Sequence, residues 1–146
     1  SNSKTPNLEQ MAVKAVDLLD DSEEGFFLMI EGAHIDKHSH NNQDNKMTEA
    51  LLEFDRTIEA MLDYAMADGE TLVVVTADHE TGGIKLDKKT GNYKYTSGEH
   101  TNVDVPVFVS AEDAGFKTGD KVKNREIPVQ IARVLGFEKN EFPAAR

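Results

Sequence analysis

The sequence contains no cysteine, no tryptophan and only four prolines. Without cysteine there is neither a disulfide framework nor a thiolate metal site, so any metal ligand must be His, Asp or Glu. No apolar run approaches the roughly 20 residues of a membrane-spanning helix, so we expect no membrane span. Positive charge is also scarce, because 16 Lys and Arg stand against 27 Asp and Glu, a formal net charge of -11. This charge disfavours nucleic acid as a partner, and an anionic ligand would need a local positive centre such as a metal ion.

The 146 residues are 38% hydrophobic and 29% charged, which is typical of one globular domain. Ser1-Asn2 resembles the remnant of a cleaved purification tag, and no signal peptide is visible. We therefore assign residues 1–2 to a tag and 3–146 to the protein itself, which is expected to be longer in nature.

Hydrophobic periodicity predicts an alternation of helices and buried strands. Helices are predicted over about 7–20, over 47–65 with a stop at Gly69, and from a cap at Asn124 to about Leu135 before Gly136. Buried strands are predicted at 26–30, 71–76 and 105–109. A surface hairpin is predicted over 84–95. The polar stretch 31–45 is expected to be a loop. This rhythm predicts a layered α/β fold, whose parallel strands need such crossovers.

The five histidines are confined to three places. Three follow the first predicted strand, one follows the second, and one precedes the third; they are His34, His38, His40, His79 and His100. Ligands of open α/β sheets bind at the carboxyl ends of the strands. We therefore expect at least the first two places to lie at one site, which the third can reach through a loop.

Asp36, His40 and His100 are the first candidate ligand set. A carboxylate with imidazoles suits zinc, which commonly takes three protein ligands at a catalytic site. Taken alone, however, Asp36 and His40 also fit an ordinary solvated loop. In the same way, Asp78-His79 could be a helix cap or a hydrogen-bonded strand end, and Glu31 could be an exposed carboxylate.

The joint occurrence of three motifs is more specific. Residues 25–40 read GFFLMIEGAHIDKHSH, residues 71–83 read TLVVVTADHETGG, and residues 97–108 read SGEHTNVDVPVF. In order and spacing these stretches resemble the C-terminal part of the alkaline phosphatases. The resemblance implies a three-layer α/β sandwich with a mostly parallel sheet, of which this chain would be a partial domain.

Carried over to this sequence, the resemblance implies three metal sites. It assigns Asp36, His40 and His100 to one zinc, Asp78 and His79 to a second zinc, and Glu31 to a magnesium ion. Two zinc ions about 4 Å apart can bind the attacking and the leaving oxygen of a phosphoryl group. His34 and His38 stand where the family varies and are expected only to surround the ligands.

The family's serine nucleophile and the aspartate that bridges two of its metals have no counterpart here. Neither Ser39 nor Ser97 matches the family's nucleophile motif, and both are expected to be surface hydroxyls. We therefore expect no catalytic residue in this chain and no activity in isolation. The resemblance implies a longer parent protein that is a phosphoric monoester hydrolase. It would act on phosphate monoesters, bind inorganic phosphate and need its N-terminal part. A homodimer and a periplasmic or secreted location are expected on the same ground.

Two other interpretations stay open. The parent could be another member of the same superfamily, such as a phosphodiesterase, sulfatase or phosphomutase. The chain could also be a stand-alone metal-binding module without catalysis. An Asp-Ser nucleophile motif in the gene upstream of residue 3 would distinguish the enzyme from the module.

Overall fold

A computed structural model describes residues 5–111, 114–117, 119–138 and 141, so the tag assignment for residues 1–2 lies outside the described residues. The helices are α1 (Leu8–Leu19), α2 (Ala33–His40), α3 (Asp44–Asp68) and α4 (Ile127–Val134), with a 3-10 turn at Asn124–Glu126. The strands are β1 (Val74–Thr76), β2 (Glu80–Thr81), β3 (Lys85–Leu86), β4 (Tyr93–Lys94), β5 (His100–Thr101) and β6 (Val107–Val109). Of the described helices, none combines the length and apolar character needed to cross a bilayer.

Helices α1 and α3 confirm two of the predicted helices. The N-terminus of α1 is closed by a capping box, in which the Asn7 side chain accepts from the Gln10 amide and the Gln10 side chain accepts from the Asn7 amide. Helix α3 ends at Gly69, whose φ of 78° is the left-handed conformation that glycine adopts at low cost. The predicted stop at Gly69 is therefore confirmed, and α1 lies within the predicted range 7–20.

The segment 26–30 is buried on one side only. Phe26, Leu28 and Ile30 pack against a core formed by Ala12, Val16 and Met61 of α1 and α3. Phe27 and Met29 are 62% and 73% exposed, as expected when successive side chains of an extended chain point to opposite sides. Within the described residues the segment pairs with no strand. The prediction of a strand buried on both faces is therefore wrong for this chain.

Helix α2 lies where a loop was predicted, so that prediction was wrong. Its eight residues include a single large apolar side chain, Ile35, and therefore carry no recognisable helical periodicity. The helix packs mainly against α3. Ser39 is only 2% exposed, and its hydroxyl donates to the Ile35 carbonyl at 2.8 Å. Ser39 is thus not the surface hydroxyl that was expected.

Every ladder among the described residues is antiparallel: β1 with β6, β2 with β5, and β3 with β4. The last pair is the predicted hairpin. Strand β6 begins at Val107, directly after Pro106, and so covers the last three residues of the strand predicted over 105–109. The described residues do not by themselves form the mostly parallel sheet that was expected. The order of helices and strands could not decide this, since it does not fix which strands become neighbours.

The C-terminal helix differs from its prediction at the N-terminus. Asn124 is not a helix cap; it begins the 3-10 turn, and α4 follows from Ile127. Its side-chain amide donates instead to the Asp78 carbonyl at 2.5 Å. Gly136, with φ of 84°, follows the helix as predicted. Asn124 thereby ties the start of the C-terminal element to the loop after β1.

Candidate metal centre

Three predicted ligands converge at one point. Asp36 and His40 are four residues apart on α2 and so share one face of the helix. His100 is brought to them by β5. The Asp36 Oδ1 atom lies 3.4 Å from His40 Nε2 and 3.6 Å from His100 Nε2, and the two Nε2 atoms are 3.0 Å apart. Among the described residues, this is the only group of three or more His, Cys, Asp or Glu side chains close enough to hold one ion.

These distances fit a tetrahedral ion. Zinc bonds of about 2.0–2.1 Å place neighbouring ligand atoms about 3.3 Å apart. The observed separations of 3.0, 3.4 and 3.6 Å lie on both sides of that value. The three side chains are between one third and one half exposed, so a fourth position faces solvent. One carboxylate and two imidazoles are a donor set that suits zinc.

A backbone carbonyl orients His40. Its Nδ1 atom lies 2.6 Å from the Gly98 carbonyl oxygen, so Nδ1 must carry the proton and donate it. The lone pair of the neutral ring is then on Nε2, which faces Asp36 and His100. Hydrogen bonds of this kind commonly fix the tautomer of metal-binding histidines. Nothing in the sequence pointed to this contact, because a carbonyl group is present at every position.

Asp78 and His79 form a second pair beside the first group. His79 Nε2 is 3.2 Å from Asp78 Oδ2, and its ring stacks on that of His100 with centroids 3.5 Å apart. The Asp78 side chain is 85% exposed, so this pair opens to solvent. The structure thus brings the predicted group of three ligands and the predicted pair together at one location, in agreement with the expectation that these places lie at one site.

Thr81, which the sequence analysis did not select, lies between the two groups. It is 8% exposed, and its hydroxyl lies 2.6 Å from Asp36 Oδ1 and 3.2 Å from His79 Nδ1. The only available signal was its position two residues after His79, which places both side chains on the same side of an extended chain.

Glu80 accepts hydrogen bonds that hold together the segments after His79 and around His100. Burial raises the pKa of its carboxyl group, but hydrogen bonds outweigh this effect, so the pKa lies below its ordinary value. The donors are the Thr101 hydroxyl and the amides of Ile84 and Gly83. Glu80 therefore stays ionised at neutral pH and joins the turn after β2 to β5, the strand that carries His100.

The other candidate residues lie apart from this cluster. Glu31 is exposed and is not among the three converging side chains. His34 and His38 stack on each other with centroids 5.7 Å apart. Both line a separate depression of about 390 Å³ together with α3 residues that include Lys46 and Glu49. The two histidines thus lie near α3 rather than among the converging ligand atoms.

Known structures define the class of fold. The alkaline phosphatase of the Antarctic bacterium TAB5 superposes with a TM-score of 0.81 at 28% identity, over 94% of this chain and 43% of that one. A variant of the TAB5 enzyme with magnesium bound in its M3 site gives a TM-score of 0.80 at 29% identity, over 90% and 42% of the two chains. The chain therefore has part of an alkaline-phosphatase-like α/β fold. The predicted fold class, a partial domain of this fold, is confirmed, although the strands of the described residues pair only in antiparallel ladders.

Sequence comparison agrees. The sequence profile of the alkaline phosphatase family matches residues 1–97. Alkaline phosphatase of Escherichia fergusonii is 44% identical over 140 residues, 93% of this chain and 30% of that protein. Alkaline phosphatase H of Pseudomonas aeruginosa is 35% identical over 136 residues, 90% and 29% of the two. The chain belongs to the alkaline phosphatase family and spans less than a third of the length of these two relatives.

Proposed function

We propose that this chain is the C-terminal portion of a metal-dependent phosphoric monoester hydrolase. The observation that carries the proposal is the convergence of Asp36 Oδ1, His40 Nε2 and His100 Nε2 at distances that suit one zinc ion. Membership of the alkaline phosphatase family supports the reaction class. We place the mature protein in the periplasm or outside the cell and propose that it forms a homodimer.

Each group of residues has its own part in this proposal. Asp36, His40 and His100 hold the first zinc, Asp78 and His79 hold part of the second, and Glu31 contributes to a magnesium site. When bound, the ions supply positive charge to the attacking and leaving oxygens of a phosphoryl group. The chain's own residues orient the ligands: the Gly98 carbonyl fixes the ring of His40, and the ring of His79 covers one face of His100. Local positive charge also explains how a protein of net charge -11 attracts a phosphate.

The chain supplies only part of this active site. The Ser39 hydroxyl is buried against its own helix, and the Ser97 hydroxyl accepts from the Glu99 amide at 2.9 Å, so neither is placed as a nucleophile. We assign the nucleophile and the missing ligands to the N-terminal part of the parent protein. That part would also cover Phe27 and Met29, whose large apolar side chains are exposed in this chain. The match covers only 43% of the TAB5 chain, so more than half of that fold remains for the N-terminal part to supply.

Calorimetric zinc titration tests the first site. The unmutated chain should show about one strong binding event, because three protein ligands suffice for such a site. His100→Ala should abolish this event. His34→Ala is the matched control, since it removes an imidazole of α2 that lies outside the cluster and should leave binding unchanged. If His100→Ala binds zinc with the affinity of the unmutated chain, the site is assigned wrongly.

An activity assay tests the division of the active site. The purified chain should hydrolyse an aryl phosphate no faster than free zinc, because it has no activated nucleophile. Addition of the N-terminal part should raise the rate by orders of magnitude, and His79→Ala should cancel most of the gain. Saturable turnover by the chain alone, lost in His100→Ala, would instead mean that a complete active site is present. Assembly of the two parts without any rate gain would favour the non-catalytic metal-binding module.

A further inference from the structure

The Thr81 side chain is linked to both groups of candidate ligands. Its hydroxyl lies 2.6 Å from Asp36 Oδ1, in the first group, and 3.2 Å from His79 Nδ1, in the second. In the ladder between β2 and β5, Thr81 is also the residue directly opposite His100. Thr81, which is 8% exposed, thus contacts two of the five proposed zinc ligands through its side chain and lies opposite a third in the backbone ladder.

The number of available protons fixes the direction of the hydrogen bond between Thr81 and Asp36. A hydroxyl has one proton to donate, and an ionised carboxylate can only accept. The short contact to Asp36 therefore takes the Thr81 proton. The Thr81 oxygen is then free to accept from His79 Nδ1, which favours a proton on that nitrogen, whereas the Asp78 carboxylate beside Nε2 favours a proton there as long as no ion is bound. When an ion takes the place of that proton on Nε2, the chain of donors runs from His79 through Thr81 to Asp36.

This direction has a consequence for metal binding. With the proton on Nδ1, the lone pair of His79 is on Nε2, the nitrogen that lies 3.2 Å from Asp78 Oδ2. The opposite tautomer would put a proton where the ion should bind. At the other end of the donor chain, the hydroxyl restrains Asp36 Oδ1, the oxygen that faces His40 and His100.

We propose that Thr81 is a positioning residue that couples the two zinc sites, because its hydroxyl selects the ligating tautomer of His79 and holds Asp36 toward His40 and His100. The inference rests on the proposed function, since it takes these residues as ligands. Thr81 is not itself one of the proposed ligands. Loss of its hydroxyl should therefore weaken zinc binding at both sites. A defect in a single ligand of the first site would not explain weaker binding at the second.

The test uses Thr81→Val, which has nearly the same shape but no hydroxyl, and Thr81→Ser, which keeps the hydroxyl. Thr57→Val is the matched control, because Thr57 is also buried and donates to the Glu53 carbonyl in α3, away from the site. Zinc affinity is measured by calorimetry. Thr81→Val should lose about tenfold to a hundredfold in affinity. Thr81→Ser and Thr57→Val should keep the affinity of the parent.

A second measurement separates positioning from a merely structural role. This measurement uses the zinc-free chain with Asp78→Ala, in which the Asp78 carboxylate no longer faces Nε2, at a pH where histidines are neutral. Correlation spectra of the ring nitrogens should show His79 with its proton on Nδ1. Addition of Thr81→Val should shift this population toward Nε2, whereas addition of Thr81→Ser or Thr57→Val should not. The proposal is overturned if His79 of the Asp78→Ala chain is protonated on Nε2, or if Thr81→Val keeps both the tautomer in this background and the zinc affinity of the unmutated chain. Failure of the unmutated chain to bind zinc would overturn the proposed function instead. If Thr81→Val did not fold, the tautomer of His79 in the Asp78→Ala chain would still test the role of Thr81.

Discussion

The ring of His79 stacks on the ring of His100, with centroids 3.5 Å apart and planes inclined by 21°. The two residues belong to different proposed zinc sites. The contact therefore joins the sites through packing, in addition to the hydrogen bonds of Thr81. Aromatic stacking contributes specific orientation as well as buried area.

This contact predicts a difference between two variants of His79. His79→Ala leaves one face of His100 uncovered and should weaken zinc binding at the first site by about tenfold. His79→Phe removes the ligand nitrogens but keeps a flat ring against His100, so zinc affinity at the first site should stay close to that of the parent. Calorimetry on both variants measures the difference. Equal weakening by the two substitutions would contradict an orienting role for the stack.

Phe26 and Phe27 provide a test of the one-sided burial of segment 26–30. Phe26 packs on the core between α1 and α3, whereas Phe27 is 62% exposed. Phe26→Ala should lower the free energy of unfolding by about 2–4 kcal/mol. Phe27→Ala should change it by less than about 0.5 kcal/mol. Urea denaturation measures both values in this chain, and a larger loss for Phe27→Ala would show that the buried side is assigned wrongly.

Gly82 is expected to tolerate no side chain. Its φ of 94° disfavours other residues, and a Cβ atom would lie 2.7 Å from Tyr95 Cδ1. Gly82→Ala should therefore lower the free energy of unfolding by about 1–3 kcal/mol. Gly91→Ala is the control, because Gly91 also has a positive φ of 74° but no atom within 4 Å of a new Cβ. Gly91→Ala should lower the free energy of unfolding by less than Gly82→Ala does, and the difference is the cost of the Tyr95 contact. Equal losses in the two variants would contradict the close approach of Tyr95 to Gly82.

Tyr64 should make stability depend on pH in the alkaline range. Its hydroxyl donates to Asp20, and this bond, followed by burial, raises the pKa of the phenol above 10.0. A raised pKa in the folded state stabilises the protein below the ordinary pKa, and the contribution is lost as pH rises through the folded value.

Tyr64→Phe should therefore be less stable than the parent at about pH 8, and the difference should shrink above about pH 10. Denaturant unfolding at a series of pH values measures it. Tyr93→Phe, at a 53% exposed residue of the β3–β4 hairpin, is the control and should follow the parent throughout. If the stability difference between Tyr64→Phe and the unmutated chain grew with pH, the prediction that the pKa of Tyr64 is raised in the folded state would be wrong.

Local patterns predicted local structure well. The apolar stripe of α3, with its stop at Gly69, and the turn-rich sequence of the β3–β4 hairpin each contain the whole signal within a few residues. Helix α2 was missed because its stability comes from packing against α3 rather than from its own periodicity. Burial of segment 26–30 was overestimated for a related reason: an apolar run shows that its side chains can be buried, and not which neighbours are present to cover them.

The sequence by itself determined which side chains are available at the site. Its lack of cysteine limited the ligands to His, Asp and Glu, and the order and spacing of three motifs indicated the family and the candidate residues. Only the tertiary structure decided that His40 and His100, which are 60 positions apart, bring their Nε2 atoms to 3.0 Å. It also decided that Thr81 lies between Asp36 and His79. The physical reason is that ligand chemistry belongs to each side chain, whereas distances between remote residues depend on how α2 packs beside β2 and β5.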